Sequence, residues 1–208
     1  MRLWEKHGII KAVLRAGEVL RWEGITMFYE KLSTARAGVK NFKGTKAINA
    51  PMDKVAQALY DPATLGQWLA GLVHVDVLSQ QGTKPWEAVP EAFEFYQLYK
   101  LQSPIWNRDY VISCHWTLDR LADGEADLFL QSIGRSDHPI KKDRVRGALN
   151  LQVYRLKALP DDQGTEVEVE INVDPAGNFP VFIVNLYGSK WCKKTLDALG
   201  KTIHNMGA

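Results

Sequence analysis

The stretch from Val167 to Asn205 reads VEVEINVDPAGNFPVFIVNLYGSKWCKKTLDALGKTIHN, and it decides the fold. Val167 to Val173 alternates apolar and polar residues, the period of a strand with one face buried. Asp174-Pro175-Ala176-Gly177 is turn chemistry: Gly177 permits a positive φ, and the Asp174 side chain can close the turn on the backbone. Pro180 suits the first position of a helix. From Pro180 to Asn205 apolar residues recur at Val181, Val184, Leu186, Trp191, Leu196, Leu199 and Ile203, with no further proline, which predicts a helix. About 25 residues at 1.5 Å each give a rod of about 38 Å. That exceeds what one small sheet needs for cover. A long helix lying across a strongly curved antiparallel sheet leaves space beneath it.

Upstream, the same alternation recurs. Val73, Val75 and Val77 alternate with polar partners, and Tyr110–Thr117, Leu128–Ile133 and Leu149–Leu156 do likewise, while Phe93–Leu101 is rich in aromatics. Turn residues separate these runs, as at Gln81-Gly82, Ser103-Pro104, Asp123-Gly124 and Pro160-Asp161-Asp162. Strands in series with short turns predict an antiparallel meander. Before them come two strands, Ile25–Tyr29 and Lys40–Ile48. A helix opened by Pro51 follows, with Asn49 as its candidate cap. A second short helix, Pro62–Leu69, carries Trp68. Residues 1–21 mix Leu3, Trp4, Ile9, Ile10, Val13, Leu14 and Leu20 with basic residues, and read as an amphipathic helix packed on the body. Contact with a membrane surface is the sharper reading of the same pattern.

The expected organisation is one domain over residues 1–208: a helix over 1–21, the sheet with two short helices over 22–179, and a lid helix over 180–205. Composition excludes several classes. The chain has 26 basic and 24 acidic residues, a net charge of +2, which gives no electrostatic footprint for nucleic acid. No run of 18 apolar residues is present to span a membrane. The N-terminal charges interrupt any signal-type apolar run, so the chain reads as cytoplasmic, with the periplasm open to a chain whose leader has been cleaved. Cys114 and Cys192 lack the spacing of a metal motif, and the five histidines are scattered. Neither a metal nor a cofactor is expected.

Three motifs carry a resemblance. Tyr99-Lys100-Leu101, Pro104 and Asn107-Arg108-Asp109-Tyr110-Val111 form a lysine-bearing strand, a proline turn and an Asn-Arg-Asp-aromatic-Val strand start. Ser136, His138-Pro139 and Arg146-Gly147 form a second group. Asp174 to Pro180 with Val184-Asn185 form the third, and Trp22 to Tyr29 fits a first strand. Together they resemble, from about residue 22 to 200, the START (StAR-related lipid transfer) domain family, here a bacterial-type single-domain member. The resemblance implies an α+β helix-grip fold of the START/SRPBCC type, with the curved sheet gripping the C-terminal helix around a cavity. It also implies binding of a lipid or other apolar molecule there, for transfer or sensing.

Physical reading assigns residues to that picture. On the strand from Tyr110, the set Tyr110, Ile112, Cys114 and Trp116 is more apolar than the set between them, and is placed inward. The resemblance points to the same phase, and some cholesterol-binding relatives carry an arginine near the position of Cys114. Its absence argues against a sterol-hydroxyl contact of that kind. Trp68, Tyr96, Leu98, Phe179, Phe182 and Leu186 complete the apolar wall, with Phe95 and Gln97 competing for the phase of Tyr96 and Leu98. Arg146 is the charged candidate for a polar headgroup, against a pair with Asp143 or a surface carboxylate. Asn107, Arg108, Asp109, Asp174, Gly177 and Pro180 read as structural, Arg108 and Asp109 as an ion pair or backbone clamp that fixes the strand entry, against a ligand contact. Phe179, Phe182 and Tyr187 are candidates for a gate.

No nucleophile constellation appears: GxSxG, HExxH, GxxxxGK[ST] and GxGxxG are all missing. Cys114 and His115 are adjacent on a strand and so face opposite ways. Cys192 stands beside Lys193 and Lys194, which would lower its pKa, against an idle buried thiol. The expected function is non-catalytic binding. The alternative is a polyketide cyclase or aromatase in the same cavity, should Tyr96, Tyr110 and Arg146 converge. A third reading is a ligand-gated interaction module with an apolar patch near the terminal helix.

Overall fold

The computed structural model describes residues 18–22, 25–30, 37–82, 85–86 and 89–206, the first two segments as backbone. Strands β1 (Glu18–Trp22), β2 (Ile25–Glu30) and β3 (Asn41–Ile48) lead into helices α1 (Met52–Tyr60) and α2 (Pro62–Trp68). Then come β4 (Leu72–Gln81), β5 (Ala92–Tyr99), β6 (Arg108–Thr117), β7 (Glu125–Ser132), β8 (Val145–Arg146), β9 (Ala148–Ala158) and β10 (Thr165–Asp174), and finally α3 (Val181–Met206). Among the described residues the strands form one sheet in the order β1-β2-β3-β10-β9-β7-β6-β5-β4, with the two-residue β8 running parallel beside β6.

Three local expectations change. Residues 18–21, expected to close the N-terminal helix, are extended in β1 and pair with β2. The rest of that helix expectation, residues 1–17, lies outside the described residues. Asn49 does not cap α1: Pro51 occupies the cap position without a side-chain bond, and its carbonyl accepts the Val55 N–H at 3.2 Å. At α2 the cap is Asp61, whose carboxylate accepts from Ala63 N at 3.0 Å. Pro180 likewise stands one place earlier than expected, since its carbonyl accepts the Val184 N–H at 3.2 Å and the helix starts at Val181. The turn before it follows its residues: Gly177 has φ +69°, and Asp174 Oδ1 accepts from Ala176 N at 2.9 Å.

Helix α3 lies along β3, and both run in the same direction. The Asn185 carboxamide accepts from Lys40 N at 2.9 Å and donates to Gly38 O at 3.0 Å. Further along, Gly188 rests on the Phe42 ring, Asp197 binds Lys46, and Gly200 faces Ile48. Two strand residues advance about 6.6 Å and four helix residues about 6 Å, so the two elements stay in step. Gly188 permits this seating, because a Cβ there would fall 2.3 Å from the Phe42 ring. The buried residues of α3 are Val184, Cys192, Thr195, Leu196, Leu199, Thr202 and Ile203, mostly in its C-terminal half. Helices α1 and α2 close the same side, with Val55, Ala56, Ala58, Leu59 and Leu65 buried.

Candidate ligand-binding interior

Strand registers define which side chains face α3. Row by row, Gln97 pairs with Tyr110, Phe95 with Ile112, and Phe93 with Cys114. Cys114 continues to Leu130, and Leu130 to Gln152. Trp116 continues to Leu128, then to Tyr154 and Val169. Ile112, Cys114 and Trp116 are almost fully buried in the core, and Tyr110 stands at its margin. Trp68 joins them: its Nε1 donates to Ala58 O at 3.1 Å, and its ring meets Tyr154 edge-on with centroids 6.2 Å apart. Trp116 meets Trp86 at 4.8 Å, and its Nε1 is buried without a partner among the described residues.

The other phase holds residues assigned inward from the sequence. Tyr96 and Leu98 require correction: they pair with Val111 and Asp109 on the outer face. Glu94 stands in phase with them and binds Arg135, so the strand had to turn that side outward. Gln97 and Tyr99 take the inner places. Arg146 is also corrected, because it does not face the interior. Its guanidinium donates to both Asp109 carboxylate oxygens, at 3.1 and 3.0 Å, and to His138 O at 3.2 Å. Asp143, the partner weighed from the sequence, instead binds Arg144. On α3, Phe182 and Leu186 are corrected too: they are 70% and 53% exposed and point to solvent, as does Tyr187 at 70%. Phe179 is half-buried, under the Arg108 guanidinium at 4.9 Å from its centroid.

Arg108 is a backbone clamp. It donates to Pro175 O at 2.6 Å, to Ala176 O at 3.4 Å and to Trp106 O. It thereby joins the β5–β6 loop to the entry of α3. Asn107 Oδ1 accepts from Leu101 N at 3.2 Å and braces the same loop, in which Ser103–Pro104 is cis. Outside this loop lies an open recess of about 390 Å³, bounded by Leu101, residues 103–107 and Asp143. It is a surface feature, not the interior. Ile105 and Trp106 at its rim are 39% and 59% exposed.

Within the otherwise apolar interior sits a polar group that the sequence reading did not collect. Tyr99 OH donates to Gln97 Oε1 at 2.9 Å, and Gln152 Nε2 donates to Tyr154 OH at 2.6 Å. The Tyr99 and Tyr110 rings meet edge-on at 5.7 Å. Burial, with the neighbouring Tyr110 hydroxyl, pushes the Tyr99 pKa far above normal. Burial first, then Tyr99, does the same to Tyr154, and burial dominates at Tyr110. These phenols are therefore neutral hydrogen-bonding groups, not acids or bases. Both thiols are free and buried, with pKa values raised mainly by desolvation, Cys192 to about 12 despite its lysine neighbours. His115 turns outward and stacks on Phe129 at 5.2 Å, so it cannot serve Cys114. The trio proposed for a cyclase does not converge, since Tyr96 and Arg146 are on the opposite phase from Tyr110.

Gly147 fixes the position of Tyr110. A Cβ there would lie 2.4 Å from the Tyr110 ring. Gly147→Ala is expected to push that ring toward Tyr99 and cost about 1–3 kcal/mol through overpacking. Urea denaturation of the variant measures it; an unchanged midpoint would mean that the ring has room to yield.

A curved antiparallel sheet with a long helix along its inner side defines the helix-grip class. Residues 29–204 match the START domain family, and the chain belongs to it. Among solved structures, human STARD10 is 16% identical with a TM-score of 0.77, over 91% of this chain and 73% of that one. A STAR-related lipid transfer protein fragment from Xanthomonas axonopodis is 20% identical with a TM-score of 0.73, over 90% and 98%. Human StAR-related lipid transfer protein 5 is 14% identical with a TM-score of 0.76, over 92% and 88%. At these identities the likeness speaks for the fold. No curated protein matches the sequence. Among the described residues no helix is long and apolar enough to cross a membrane, and no cluster of metal-ligating side chains occurs.

Proposed function

We propose that this protein holds a lipid or similar apolar small molecule between the inner face of the sheet and α3, for transfer or sensing. The observation that carries the reading is the apolar inner face of the sheet: Phe93, Phe95, Ile112, Leu128 and Leu130 are buried on the side along which α3 lies. Family membership and the lipid-transfer names of two structural relatives support the same reading. A bound alkyl chain would contribute about 0.8 kcal/mol per buried CH₂, so no catalytic group is needed to retain it. Native mass spectrometry of the purified full chain, followed by lipid extraction, tests this. The expected result is a one-to-one adduct, either carried from expression or acquired from mixed lipid vesicles. A bare chain under both conditions would overturn the reading.

Transfer requires a transient meeting with a membrane, and the exposed apolar residues suit one. Trp106 and Ile105 stand beside the α3 entry, to which Arg108 ties them. Phe182 and Leu186 lie one helical turn apart on the solvent face of α3, and exposed Lys190 and Lys194 continue that face. Aromatic and aliphatic side chains with lysines behind them match an anionic bilayer surface. Combining Trp106→Ala with Phe182→Ser is expected to slow lipid exchange between vesicles containing phosphatidylserine on the order of tenfold. An unchanged exchange rate would count against this docking face.

A further inference from the structure

Resting on the reading of an internal ligand, we infer that Gln97, Tyr99, Tyr110, Gln152 and Tyr154 form its polar subsite, which takes an uncharged hydroxyl or carbonyl head and rejects charged ones. Gln97 and Tyr99 alternate inward on β5, Tyr110 faces Gln97 across β6, and Gln152 and Tyr154 alternate inward on β9. Three strands thus deliver five polar side chains to the same side of the sheet, where the Tyr99 and Tyr110 rings meet edge-on at 5.7 Å and Gln97 and Gln152 each hold a tyrosine hydroxyl.

These groups do not exhaust one another. Tyr99 uses its proton on Gln97 and keeps its oxygen as an acceptor, while Tyr154 accepts from Gln152 and keeps its proton. The Gln97 amide nitrogen and the Gln152 carbonyl have no further partner among the described residues. Donors and acceptors are both present, which is what a hydroxyl needs, because it gives one bond and receives others.

Charge selects against the alternatives. Among the described residues, the inner-phase positions of β4, β5, β6, β7, β9 and β10 carry no charged side chain except Arg108. That guanidinium is consumed by the carbonyls of Trp106, Pro175 and Ala176 and by the Phe179 ring. Lys46, on β3, is held by Asp197. Arg146 and Arg144 lie on the outer side, bound to Asp109 and Asp143. An anionic head would therefore leave water without a cation to receive it, and such burial is unfavourable. A neutral head meets partners without that loss.

Two matched pairs of probes test the assignment: hexadecanol against hexadecyl phosphate, and cholesterol against cholesterol sulfate. Each is presented to the full chain, and its one-to-one complex is quantified by native mass spectrometry. The neutral member that fits is expected to be retained at least about tenfold better than its charged counterpart. Gln97→Leu and Tyr154→Phe, each verified by cooperative thermal unfolding, are expected to weaken that neutral probe about fivefold. Equal or better retention of the charged member would overturn the subsite while leaving an internal ligand intact, and so would folded variants with undiminished retention. The wild-type comparison stands even if either variant does not fold. Retention of none of the four, together with no adduct from expression or from vesicles, would remove both the subsite and the reading beneath it.

Discussion

Replacing Asp109 with alanine is expected to lower the unfolding free energy by about 3 kcal/mol, because it strands a guanidinium in a largely closed site. The Asp109 side chain is 1% exposed and that of Arg146 17%. The pair is bidentate, and the remaining Arg146 contact, His138 O, is a neutral carbonyl that cannot replace a carboxylate. The loss also spreads. Burial, and with it Asp109, raises the pKa of the nearby Tyr96 hydroxyl, which accepts from Arg144 at 2.9 Å. Arg135 binds Glu94 at the start of the same excursion between β7 and β8. One carboxylate thus helps hold the 133–146 segment against β5 and β6. Urea denaturation gives the value directly, provided that the slope is unchanged. Arg146→Met should cost a comparable amount, since it leaves Asp109 charged and alone. Joining Asp109→Leu to Arg146→Met should cost much less than the sum, because neither charge is then orphaned. A loss below about 1 kcal/mol for Asp109→Ala would show that water reaches Arg146 freely.

That pair also marks where sequence reading ran out. Period and turn chemistry are local, and they located the strands from β3 onward, except the two-residue β8, and the long helix within a residue or two at most ends. They placed Tyr110, Ile112, Cys114 and Trp116 on one face because β6 carries its polar residues on the other. On β5 both phases contain aromatics, so hydrophobicity alone does not separate Phe93-Phe95-Gln97-Tyr99 from Tyr96 and Leu98. The separating signal was Glu94, a charge that must face water or a cation and that carries Tyr96 and Leu98 with it. Arg146 was illegible for another reason. Its partner is 37 residues away, and only the parallel pairing of β8 with β6 brings Asp109 opposite it. The polar interior group is nonlocal in the same way, since Gln97 on β5 and Gln152 on β9 share only the inner side of the sheet. On α3 the recurrence of apolar residues was read as one buried stripe. The helix in fact presents two apolar faces, one to the core and one to solvent.

Those two faces set the second large effect. Leu196→Ala is expected to cost about 3 kcal/mol, within the range for a fully buried leucine whose cavity closes only in part. Leu196 is 0% exposed and lies between Cys192 and Leu199, both fully buried, on the helix that also packs against α1 and α2. Leu186→Ala, ten residues earlier on the same helix, should change stability by less than about 0.5 kcal/mol, because it removes atoms that are already in water. The contrast has a consequence for motion. The first half of α3 is held by Val184, by the Asn185 bonds to Gly38 and Lys40, and by the close seating of Gly188 on Phe42. The second half is held by a continuous buried row. Local opening draws on the segment with less burial, so amides of residues 185–190 should exchange hydrogen faster than those of 196–203. A ligand entering beneath α3 would then need only the N-terminal half to lift, with the C-terminal half as its fixed end. Equal protection along the helix, or a Leu186→Ala loss as large as that of Leu196→Ala, would mean that α3 is clamped along its whole length and entry must occur elsewhere.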